Sequence, residues 1–210
     1  MRIILFGASG MVGASALREA LKAPEVESVL CIGRRSCGIE HHKLRELRLP
    51  DLFDFAAVED QLTGFDACIW AIGISSVGLD EIAYAKVTEE LTLAWADVLL
   101  RLNPEFSFCY CSAGGAGGRS MWARVRQRVE RALQAMPFRH AGAVRPGFIR
   151  PGAGHPQSHT SLSGRNRVAD THLPALSVLR ARFSLPVHHV RDSRPRNAAR
   201  SGRARGPLHS

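Results

Sequence analysis

The sequence predicts an α/β fold: a parallel sheet of about six strands with helices on both faces, then an irregular basic tail. Three observations carry the prediction. Short apolar runs of β-forming residues alternate with helical segments as far as residue 144. A glycine-lined turn separates the first such run from the first helix. The helical segments lie between successive strands, where crossovers joining parallel strands must lie. A chain of 210 residues is one domain, or at most two small ones. Its 45% apolar and 22% charged residues are ordinary for a globular protein. No apolar run reaches the ~18 residues of a membrane span. The opening apolar run meets Gly7 too soon to form a signal-peptide core, so the expected compartment is the cytoplasm.

The elements follow in order. Residues 2–6 form a first strand, and residues 14–21 a helix closed by Pro24. Residues 28–32 form a second strand, ended by Gly33-Arg34-Arg35. Residues 44–49 alternate apolar and charged side chains as a third strand, stopped by Pro50. Residues 56–62 form a short helix before Gly64, and residues 67–72 a fourth strand. Residues 81–102 form a long amphipathic helix, stopped by Asn103-Pro104. A fifth strand over 106–111, a helix over 121–135 ended by Met136-Pro137, and a sixth strand over 141–144 complete the body.

The chemical signal is strongest at the first turn, Gly7-Ala8-Ser9-Gly10-Met11-Val12-Gly13. Gly7 permits a sharp exit from the strand, Gly10 lets a pyrophosphate approach the backbone, and Gly13 allows close helix–strand packing. The helix that follows offers unpaired N–H groups and the positive end of its dipole. Ser9, Met11 and Val12 belong to the same loop. The reading is a Rossmann-type nucleotide-binding domain over residues 1–154. After the second strand, dinucleotide sites selective for NAD place an acid on the ribose. Here Arg34 and Arg35 stand instead, and two guanidiniums suit a 2′-phosphate. NADP is the expected cofactor, with NAD left open.

The spacing G-x-x-G-x-x-G, Gly33-Arg34-Arg35, Asp51-Leu52, Ala71-Ile72-Gly73, Ser112-Ala113-Gly114, residues 120–125 and Arg145-Pro146-Gly147-Phe148-Ile149 occur in this order. Together they resemble the atypical short-chain dehydrogenase/reductases of the epimerase/dehydratase-like kind, near the Tat-interacting oxidoreductase-like branch. The resemblance covers about residues 1–152. It implies that Asp51 and Leu52 lie near the adenine, that Ala71, Ile72 and Gly73 line the cofactor, and that Phe148 and Ile149 lie beside the nicotinamide. It further implies a catalytic serine, Ser112, with Tyr-x-x-x-Lys on the next helix. Trp122 and Arg126 stand at those two positions. An indole N–H cannot donate a proton at neutral pH, and arginine keeps its own. The expected catalytic residues are therefore Ser112, to orient a carbonyl, and Arg126, with the proton coming from water or from the substrate. Tyr84-Ala85-Lys86 has the wrong spacing for the motif and reads as surface.

Three functional classes stay open: an oxidoreductase or epimerase-like enzyme for an unknown small molecule, a non-catalytic NADP-binding regulator or scaffold, and a product truncated in its substrate half. The cysteines at 31, 37, 68, 109 and 111 read as reduced thiols, and His41-His42 lacks the ligand cluster of a metal site.

The net charge of +9 does not argue for nucleic acid. Ten arginines and two aspartates are the only charged residues after Gly154, so the pI near 10.2 belongs to the tail. Residues 155–210 also lack Ile, Met, Trp, Tyr, Cys, Lys and Glu. That composition admits a solvated tail, a basic arm, or a reading frame lost near Gly154. The last accords best with the abrupt end of the resemblance.

Overall fold

The computed structural model describes residues 1–146. The expectations for Phe148, Ile149 and residues 155–210 lie outside the described residues. Six strands form one sheet: β1 (Arg2–Phe6), β2 (Ser28–Gly33), β3 (Leu44–Arg48), β4 (Ala67–Trp70), β5 (Ser107–Cys111) and β6 (His140–Val144). Their order is β3-β2-β1-β4-β5-β6, and every pair is parallel. The helices are α1 (Met11–Lys22), α2 (Glu81–Ala85), α3 (Leu91–Leu102) and α4 (Met121–Ala135). The predicted Rossmann-type α/β class is the observed one.

Strands β1, β2, β4 and β5 are buried almost end to end, as apolar runs covered on both faces should be. Alternate side chains then supply two cores. Ile4, Phe6, Leu30, Ile32, Trp70 and Phe108 pack with Trp95 and Leu99 of α3 and Val129 and Leu133 of α4. Ile3, Leu5, Val29, Cys31 and Ile69 pack on the other face with Ala16, Leu17, Ala20 and Leu21 of α1. β3 lies at one edge with two Leu among three charged residues, and none of its five residues is fully buried.

Two elements differ from the sequence expectation. Residues 56–61 form a 3-10 helix, anchored by one buried side chain, Val58. So short a segment does not offset the cost of α-helix nucleation. The helix expected over 81–102 is interrupted by a π-turn, Lys86–Glu90. Apolar periodicity does not reveal it, because one face stays inward throughout: Tyr84, Thr88, Leu91, Trp95 and Leu99 are all buried. Asn103 stops the helix as expected. Its Nδ2 donates to the Leu62 and Leu99 carbonyls, and its Oδ1 accepts from the Phe65 amide at 2.9 Å.

Trp95 ties α3 to the sheet and to the segment after β3. Its ring meets Phe6 at 4.7 Å and Phe55 at 5.7 Å, and its Nε1 donates to the Leu52 carbonyl at 2.8 Å. Trp95→Ala should lower the unfolding free energy by about 3–5 kcal/mol, the usual cost of emptying an aromatic site. Trp95→Phe, which mainly removes the hydrogen bond, should cost about 1–2 kcal/mol. Urea titrations of the two variants check the ranking.

Candidate functional site

The site lies at the carboxyl ends of β1 and β4, where the sheet order reverses. Gly7 leaves β1 with φ of +76°, and a Cβ there would stand 2.5 Å from the Ala71 carbonyl oxygen. A Cβ on Gly13 would stand 2.1 Å from the Gly7 carbonyl oxygen, so α1 packs directly on the turn. Gly10 caps the helix with extended backbone and no side-chain hydrogen bond. Its own amide donates to the Gly7 carbonyl at 2.9 Å. The first-turn amides at Met11, Val12 and Gly13 thus carry no side-chain cap, which is the arrangement that binds anions.

A first groove of about 760 Å³ runs from this turn across the sheet end. Gly7, Ser9, Gly10, Arg34, Arg35, Leu52, Ala71, Ile72 and Gly73 line it, together with Arg48, Cys37 and Glu46. Arg48 was not legible in the sequence. It ends β3 directly opposite Gly33, a neighbour that only strand register reveals. Glu46 accepts from the Cys37 amide at 2.8 Å, from Ser36 Oγ at 3.2 Å and from Cys37 Sγ. Burial works against its charge, but these donors and Arg48 outweigh it and hold the carboxyl below its usual range.

Two expected positions lie outside the lining of both grooves. Asp51 follows β3, and its Oδ1 accepts from the Phe53 amide at 2.9 Å. Met11, the first residue of α1, is 40% exposed.

A second groove of about 640 Å³ shares Ala71, Ile72 and Gly73 with the first and continues past Val12 to Ser112, Gly114, Arg126 and Pro146. The Ser112 amide donates to the Val144 carbonyl at 2.8 Å, which fixes the residue between β5 and β6. Its hydroxyl is buried and meets no partner at hydrogen-bond geometry. Arg126 is only 9% exposed. Its Nε donates to the Tyr84 hydroxyl at 3.0 Å and its Nη1 to the Cys111 carbonyl at 3.3 Å. Tyr84 is therefore not a surface residue; at 2% exposure it lies on the inward stripe of its helix.

Glu130, one turn beyond Arg126, accepts from Arg145 Nε at 2.9 Å and from Arg145 Nη2. Burial pushes its pKa up, but Arg145, the nearby Ser112 hydroxyl and Arg126 together hold it below the usual carboxylate range. Cys111 also lines this groove, and burial, opposed by Arg126, pushes its thiol up to about 12. It is a neutral thiol at physiological pH. Trp122 lines neither groove. Its ring packs over the loop that precedes α4, where a Cβ on Gly115 would lie 3.3 Å from Cη2. The fold thus brings Ser112 and Arg126 to one groove and leaves Trp122 outside it.

No family model matches the sequence, and no curated protein matches it. Solved structures match the fold. A short-chain dehydrogenase family protein from Francisella tularensis subsp. tularensis SCHU S4 is 13% identical with a TM-score of 0.54, the match covering 64% of this chain and 61% of that one. A short-chain dehydrogenase/reductase from Burkholderia vietnamiensis is 19% identical with a TM-score of 0.54, over 69% and 83% of the two chains. A short-chain dehydrogenase from Leptospira borgpetersenii serovar Hardjo-bovis, solved with bound NAD+, is 14% identical with a TM-score of 0.58, over 72% and 73%. The match spans less than two thirds of the first of these proteins. At these identities the likeness is one of fold. Among the described residues no helix is long and apolar enough to cross a membrane.

The depressed pKa of Glu130 makes stability depend on pH. The folded state binds its proton less tightly than the unfolded state, so the stabilisation is present above the ordinary carboxylate pKa of ~4.3 and is lost as pH falls through the folded value. The margin of the native chain over Glu130→Gln should be full at pH 7 and should shrink steadily below about pH 4. Paired urea titrations across pH measure it.

Proposed function

We propose that the chain binds NADP(H) along the two joined grooves and carries out oxidoreductase or epimerase-like chemistry on a small molecule in the second. The observation that carries this reading is the pair of grooves meeting over Ala71, Ile72 and Gly73, beside a turn whose glycines leave no room for a Cβ. In this reading the loop from Gly7 to Gly13, with Ser9 and Val12, receives the pyrophosphate. Arg34 and Arg35 hold the 2′-phosphate, with Arg48 as a third guanidinium on the same groove. Glu46 favours a ribose diol, as in NAD sites, but three donors already engage one of its oxygens. Three guanidiniums against one engaged carboxylate favour NADP.

The bound nicotinamide would supply or take the hydride. Ser112 donates its hydroxyl proton toward a carbonyl oxygen at the end of β5. Arg126 keeps its charge through the reaction and transfers no proton. The proton then comes from water or from the substrate. Residues 1–154 act as the nucleotide-binding unit. A second reading, an NADP-binding regulator without turnover, draws on Trp122, which lies off the groove and brings no acid to it.

NADPH and NADH titrations followed by nicotinamide fluorescence test the cofactor. NADPH should bind at least about tenfold tighter, and the double variant Arg34→Ala/Arg35→Ala should lose that preference, each charged contact being worth about 1.5–3 kcal/mol. Tighter binding of NADH overturns the assignment. Hydride turnover across aldehydes and ketones separates enzyme from regulator.

A further inference from the structure

We propose that Arg126 is an anion-recognition group, and that the molecule taken into the second groove beside the cofactor carries a carboxylate. The inference rests on the NADP(H) reading, in which the substrate shares this groove with one end of the cofactor.

The argument starts from charge. Among the described residues lining the second groove, Arg126 is the only charged side chain. It forms no ion pair with any described residue. The acid one turn away, Glu130, is instead taken by two nitrogens of Arg145. A cation that is 9% exposed and in direct ion-pair contact with none of the described residues is costly, and the Tyr84 hydroxyl, the Cys111 carbonyl and the more distant Glu130 charge offset only part of that cost. An anion arriving in the groove would supply a counter-charge in direct contact.

Geometry agrees. The bonds from Nε and Nη1 hold the guanidinium in place before any ligand arrives, so little side-chain entropy remains to be lost on binding. Nη2 donates to none of the described residues. It lies 3.5 Å from where a Cβ of Gly73 would stand, at the junction of the two grooves. One fixed, planar guanidinium with unengaged N–H groups suits a carboxylate. Ribose hydroxyls could take the same bonds but would bring no charge of their own to the guanidinium. Ser112 lines the same groove, so a carboxylate held at Arg126 leaves the carbonyl or alcohol of the same small molecule within that groove.

The test uses the full chain saturated with NADPH. Oxamate and its neutral amide, oxamide, are titrated calorimetrically. Oxamate should bind at least about tenfold tighter than oxamide. Arg126→Gln should abolish that preference while changing NADPH affinity by less than about threefold, and Arg126→Lys, which keeps the charge, should retain it. Equal binding of oxamate and oxamide to the native chain overturns the proposal, and needs no variant to fold. Loss of NADPH affinity in Arg126→Gln as large as the loss of oxamate affinity also overturns it, and gives the guanidinium to the cofactor ribose. A native chain that binds no NADPH overturns the functional reading and this assignment together, whereas NADPH binding without carboxylate preference overturns this assignment alone.

Discussion

The close approach of the first turn to its neighbours is the constraint on which the rest depends. Gly7 lies against the Ala71 carbonyl at the end of β4, and Gly13 lies against Gly7 itself. These contacts bring the start of α1 to the carboxyl edge of the sheet, where β1 stands between β2 and β4. The same contacts let Leu17 and Ala20 reach Ile3, Leu5 and Val29 beneath the helix. A Cβ at either glycine would lift the turn from β4 or the helix from β1. It would disturb the core and the mouth of both grooves at once, since Ala71, Ile72 and Gly73 belong to each. Stability and ligand access are thus set by one set of backbone contacts.

The second organising feature is where the buried polarity lies. Most of the interior is apolar, yet Thr88, Tyr110 and Ser112 have buried hydroxyl oxygens without partners in the described structure. Buried Arg126 and Glu130 belong to the same region. Burial pushes the Tyr110 phenol well up, with Arg126, Tyr84, Glu130 and Cys111 all close enough to act on it. The π-turn that contains Thr88 packs against α4, which carries the two buried charges. Each unsatisfied hydroxyl costs about 1–3 kcal/mol. Departures from local rules concentrate at sites rather than scatter through a fold, and here they collect behind the second groove.

What could be read in the sequence was local. The strand and helix segments, the glycine turn and the helix stop at Asn103 each rest on a few adjacent residues. The residues that escaped notice depend on relations between elements. Arg48 reaches the first groove because Gly33 pairs with it across β2 and β3. Glu46 enters because the loop carrying Cys37 folds back onto β3. Tyr84 reads as surface once its spacing fails the catalytic motif, but it is buried and a partner 42 residues away engages its hydroxyl. Asp51 shows the local case, since its Oδ1 is engaged by an amide two residues away. The strand order likewise follows from pairing, which no single segment carries.

Helix α4 shows how position alone divides one residue type between two tasks. Arg124 and Arg128 point outward: Arg124 pairs with Glu81 at 2.9 Å, and Arg128 with Glu81 and Glu89 at 2.8 Å each. Arg126, between them in sequence, points inward to Tyr84 and Cys111. Each exposed pair contributes only about 0–1 kcal/mol to stability. Their geometric effect is larger than that figure suggests. Glu81 belongs to α2 and Glu89 to the π-turn, so the outward pairs register both segments against α4. That registration presents the Tyr84 hydroxyl to Arg126 Nε, and with Nε engaged the guanidinium plane is fixed and Nη2 is directed toward Gly73. The solvent-facing charges of α4 thus pair with the same segments that bring Tyr84 to its buried one.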